Sequence, residues 1–147
     1  MYLALNIDDI DLNNITITEA MHNTVIENSS FMRIMYSDKN ITFSGIYLAC
    51  EFLNTKIERY FQKYKCNFDI QENTTFIKKL ANLEKNLLSH INIKNKSCSY
   101  NLINQINTGF VKIFIDSLTW YEDNPEIIIK ISGIWESETE YGITFKF

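Results

Sequence analysis

Between residues 76 and 91 the apolar side chains Phe76, Ile77, Leu80, Leu83, Leu87, Leu88 and Ile91 recur at three- and four-residue intervals. That period is one face of an α-helix, and Asn73-Thr74 just before it can cap the free amides. An apolar stripe of this kind has to be covered, and the rest of the chain offers strands to cover it. Phe31–Tyr36 and Ile41–Leu48 are β-rich runs separated by Ser37-Asp38-Lys39-Asn40, a turn-forming set, and together predict a hairpin. Tyr2–Asn6 and Ile15–Thr18 are shorter strand candidates.

After the helix, a shorter one is predicted from Ser99 to Asn107, with Leu102, Ile103 and Ile106 inward and Gly109 placed to end it. Strands follow at Phe110–Ile115, Ile127–Trp135 and Tyr141–Phe147, with Asp123-Asn124-Pro125 breaking the first from the second. In the last hairpin Ile127, Ile129, Ile131 and Trp135 share one parity, as do Tyr141, Ile143, Phe145 and Phe147 on the partner, with Lys130, Ser132 and Lys146 on the other face. Strands, a helical insert, then strands, without βαβ alternation, predict an α+β fold with a mostly antiparallel sheet. The same order is that of an OB-like barrel. At 147 residues, with 46% hydrophobic and only 4 Gly and 1 Pro, the expectation is a single domain over 1–147 with its own core.

Residues 60–70 alternate. Tyr60, Tyr64, Cys66, Phe68 and Ile70 fall on one side, Lys63, Lys65, Asn67 and Asp69 on the other, and Phe61 joins the lysines. With Lys56 and Arg59 upstream, the segment interleaves cations with aromatics, the combination that tracks a phosphate backbone while stacking on unpaired bases. The plainer reading is that the aromatics are core and the lysines a solvated face. A net charge of −4 excludes a uniformly basic surface, so any such groove must be local.

Other chemistry finds little support. His22 and His90 lie in no ligand spacing, and Cys50, Cys66 and Cys98 form neither CxxC nor an even set. The carboxylates Glu136, Glu138 and Glu140 flank a predicted loop, and no glycine-rich phosphate loop occurs. No catalytic residue, metal or cofactor is therefore expected. The start, Met1 to Asp9, has no basic segment and meets acid early, and no apolar run approaches ~18 residues, so neither secretion nor a membrane span is expected.

The segments 129–136 (IKISGIWE) and 141–147 (YGITFKF) resemble the ending of small uncharacterised proteins of large, AT-rich nucleocytoplasmic DNA viruses. Residues 31–37 (FMRIMYS) with 45–48 (GIYL) are similar to their upstream motif. The element order also resembles viral OB-type single-stranded-DNA-binding proteins, although the acidic C-terminal tail of some phage members is missing. The resemblance implies a non-enzymatic viral module in the host cytoplasm, replication compartment or virion. Its expected partner is single-stranded nucleic acid, with Arg59, Lys63 and Lys65 on phosphates and Phe61 or Trp120 as stacking platforms. The alternative is a structural or protein-interaction module that self-associates or binds a host factor through strand edges or the Trp120-Tyr121 loop.

Overall fold

The computed structural model describes residues 4–22, 28–91, 93–113 and 126–147. Leu5 lies parallel to Leu48, and 3-10 turns at Ile7–Asp9 and Leu12–Asn14 lead into β1 (Ile15–Ile17) and β2 (Met21–His22). β3 (Ser30–Ser37) then divides its partners. Its first half pairs with β10 (Ile128–Glu136) and β2, and its second half pairs with β1 and with β4 (Thr42–Ser44). The predicted turn forms as the residue types require: Asp38 Oδ1 accepts from the amides of Asn40 at 2.8 Å and Ile41 at 2.9 Å. Those two donors hold the Asp38 carboxyl below its ordinary pKa.

The run expected as one strand over Ile41–Leu48 is broken at Gly45. There φ is +98°, the amide donates to Ile34 O at 2.8 Å, and an added Cβ would stand 2.9 Å from the Ile131 carbonyl. Only glycine fits both the left-handed backbone and the close approach. Past it, β5 (Ile46–Ala49) returns to pair with β10. The β3–β4 hairpin is thus an excursion whose base is pinned beside β10.

A second sheet comprises β6 (Lys56–Tyr60), β7 (Lys63–Asn67) and β9 (Phe110–Ile113), all antiparallel. Between β7 and β9 come α1 (Thr74–Ile91), β8 (Ser97–Ser99) and α2 (Asn101–Ile106). α1 buries Phe76, Ile77, Leu80, Leu83, Leu87 and Leu88, the stripe its period predicts. Asn73 does not cap it with its side chain as expected. Its carboxamide accepts from Leu53 N and donates to the carbonyls of Leu53 and Asp69, tying the preceding loop to the helix start. α2 starts two residues later than expected, since Ser97–Ser99 form β8, and it buries Leu102 and Ile106, with Gly109 at φ +84° after it.

β10 (Ile128–Glu136) and β11 (Glu140–Lys146) form the last hairpin, and β8 adds to β11 in parallel. Ile131 pairs with Phe145 but Gly133 with Thr144, so Ser132 is a bulge. The extra residue flips the parity. Ile129 and Ile131 are buried before it and Ile134 after it, while Trp135, expected inward, moves to the outer face.

The result is α+β, with mostly antiparallel sheets and a helical segment between strand groups. The path β1-β3-β10-β11-β8 does not return on itself, so the OB-like order of elements does not produce a closed barrel. Buried residues of both sheets and of α1 form one cluster, in which Leu80, Leu88, Ile129 and Ile131 are fully enclosed. Each such side chain contributes roughly 1.5–3 kcal/mol relative to exposure.

Candidate nucleic-acid interface

The segment read as one strand from Tyr60 to Ile70 is two strands joined by a turn at Phe61-Gln62. The register sets the faces. Ile57, Cys66 and Val111 stand side by side on the inner side, with Tyr64 beside Ile113; Tyr60 faces Lys63, Glu58 faces Lys65, Lys65 faces Lys112, and Asn67 faces Phe110 on the outer side. Tyr60 is therefore not core, as its parity in an uninterrupted strand implies. The turn returns it to the lysine side, 44% exposed.

Arg59 does not join that group. It lies opposite Tyr64 on the inner-facing parity, exposed beside the turn of the hairpin. Lys63, Lys65 and Phe61 do come together, and Trp120 lies outside the described residues. The structure adds Phe110 and Lys112 from β9, which the sequence reading missed. The signal was the alternation Phe110-Val111-Lys112-Ile113, in which only Val111 and Ile113 are buried.

Cations sit over the rings of this face. Lys65 Nζ is 3.9 Å from the Phe110 centroid and 5.8 Å from that of Tyr60, and Lys112 Nζ is 5.7 Å from Tyr60. Phe61 meets Tyr60 edge-on at 4.8 Å and is 81% exposed. Its φ of 55° is left-handed. Among the described residues, the other non-glycine positions with positive φ are Asn28, Asn54 and Asn95, a type that tolerates this region, whereas a phenylalanine does so under strain. Glu58 is the acid on the face and pairs with Lys56 at 3.4 Å.

No family model, curated protein or solved structure matches the chain. The functional reading therefore rests on the residues alone.

Glu84 of α1 is fully buried and accepts from the amides of Leu102 and Ile103, each at 3.0 Å, at the start of α2. Burial raises its pKa, and the two hydrogen bonds oppose that shift. Desolvation likewise pushes the Cys66 thiol up to about 11 and raises Cys50, which keeps both thiols protonated and poorly nucleophilic. Cys98 Sγ donates to Tyr141 Oη at 3.0 Å. Among the described residues no group of three or more His, Cys, Asp or Glu could hold a metal ion, and no helix is long and apolar enough to cross a membrane.

Proposed function

We propose that the outer face of β6, β7 and β9 binds single-stranded nucleic acid, without catalysis, as part of a viral module. The observation that carries this reading is the convergence of Tyr60, Phe61 and Phe110 with Lys63, Lys65 and Lys112 on one exposed sheet surface. Aromatic faces stack on any unpaired base, and ammonium groups within reach of the same rings neutralise the adjoining phosphates. In a chain of net charge −4 the attraction is local, so binding is expected to be weak at high salt. Arg59, on the opposite parity, contributes through its position at the hairpin end rather than on the face itself.

The test is fluorescence anisotropy of labelled single-stranded DNA and RNA over a range of salt. Salt-sensitive binding, tighter than to duplex and lost on joint Lys63→Ala, Lys65→Ala and Lys112→Ala substitution, supports the reading. Absence of binding at low salt would shift the assignment to a protein-interaction module, to be sought by self-association and copurification.

A further inference from the structure

The second sheet ends on β6, and among the described residues no strand pairs with the other side of β6. The direction in which its backbone groups point follows from the neighbouring ladder. Phe68 N donates to Gly109 O at 3.0 Å, one step past the β7–β9 pairs. In an antiparallel strand the bonding side alternates residue by residue, so even-numbered residues of β7 bond toward β9 and odd-numbered ones toward β6. Lys63, Lys65 and Asn67 face Tyr60, Glu58 and Lys56, which therefore hold the β6–β7 bonds. The amides and carbonyls of Ile57 and Arg59 point the other way, and neither residue bonds through its backbone to another described residue outside its own ladder.

Such an edge is a template for another strand. β6 has neither a proline nor a bulge to blunt it, and its five pairs with β7 run without a shift. Its charges decide which strand fits. Lys56, Glu58, Arg59 and Tyr60 are exposed, Ile57 is half-buried, and Lys56 and Glu58 share one face, 3.4 Å apart. An antiparallel copy related by a two-fold axis perpendicular to the sheet sets one residue of β6 against itself. Centred on Glu58 or on Arg59, that register opposes like charges, which destabilises a sheet. Centred on Ile57, it sets Lys56 of each copy against Glu58 of the other and places two apolar side chains together. The outward amides and carbonyls of the two Ile57 residues then meet as a hydrogen-bonded pair.

We infer that β6 pairs antiparallel with β6 of a second copy of this chain, centred on Ile57, and that Lys56 and Glu58 fix the register. The axis preserves the faces, so Tyr60, Lys65 and Lys112 of both copies lie on one side of a continuous sheet. The pairing needs no nucleic acid. Where the outer face of β6, β7 and β9 binds a strand as proposed above, the dimer doubles the length it covers. A strand pairing this short is a small interface, so the dissociation constant should be on the order of 10 µM.

Sedimentation velocity of the full chain, without oligonucleotide and from about 1 µM to about 1 mM, should show monomer giving way to dimer. Glu58→Lys sets lysine against lysine at both symmetric positions, and Lys56→Glu sets glutamate against glutamate. Each alone should dimerise at least about tenfold more weakly, with an unchanged circular dichroism spectrum because both side chains are exposed. Mixed in equal amounts, the two variants oppose unlike charges again and should form a heterodimer of about wild-type affinity. Arg59→Pro removes an outward amide and no β6–β7 bond, and should weaken the dimer as well. A wild type that stays monomeric throughout, single variants that dimerise as it does, or a mixture that does not regain the dimer overturns the inference. A monomeric chain that still binds oligothymidylate would remove the dimer and leave the nucleic-acid reading, and a dimer that binds no oligonucleotide would do the reverse.

Discussion

Replacing Phe61 by Asn separates what the residue does for the fold from what it does for a ligand. Phe61 is 81% exposed, so roughly a fifth of its ~200 Å² is covered. At about 25 cal/mol per Å² that burial contributes at most ~1 kcal/mol, and less against a compact unfolded chain. Against it stands the left-handed backbone at φ 55°, which costs a bulky residue about 1–2 kcal/mol and asparagine much less. The two effects nearly cancel, so Phe61→Asn should leave unfolding free energy within about 1 kcal/mol of wild type, on the stabilising side. Binding should behave differently. Removing one stacking ring costs about 1–3 kcal/mol per base, a loss of roughly 5- to 150-fold in affinity. Urea denaturation followed by circular dichroism gives the first quantity and oligonucleotide anisotropy the second. A variant destabilised by well over 1 kcal/mol would show Phe61 to be a structural anchor, and unchanged affinity would remove it from the interface.

Glu84→Ala strips the acceptor from two amides at the start of α2 and opens a gap in the core, and should cost about 2–4 kcal/mol by urea denaturation. Because the folded pKa of Glu84 is raised, its ionised form is the less favourable one in the fold. Its stabilising contribution is full below the ordinary value of 4.5 and is lost as pH rises through the folded value. The stability of wild type relative to Glu84→Gln, whose neutral amide does not titrate, should therefore fall as pH climbs through that window; a difference that does not change with pH would contradict the assignment. Gly133→Ala would press a methyl against the Met32 carbonyl and the Phe31 ring, and should cost about 1–3 kcal/mol; a neutral result in thermal unfolding would mean that β3 and β10 can separate there at little cost.

Periodicity reports which residues are sheltered within one element, and within single elements it succeeded. The α1 stripe, the Asp38 turn, α2 with its Gly109 stop, and the α+β class all follow from side-chain spacing and turn chemistry that act over a few residues. Lys63, Lys65 and Phe61 of the candidate interface were legible for the same reason. Parity, however, propagates only through an uninterrupted strand. The turn at Phe61-Gln62 has no glycine to announce it, and the bulge at Ser132 exists only as a mismatch between β10 and β11. One returned Tyr60 to the lysine face, and the other turned Trp135 outward beside Phe31. Phe110 and Lys112 entered the candidate interface only through pairing between strands distant in the chain. The sequence by itself determined which segments are helix or strand and which residues carry charge and aromatic surface. Which of those residues share a face was decided by register and bulges, because those depend on hydrogen bonds between strands that no local pattern encodes.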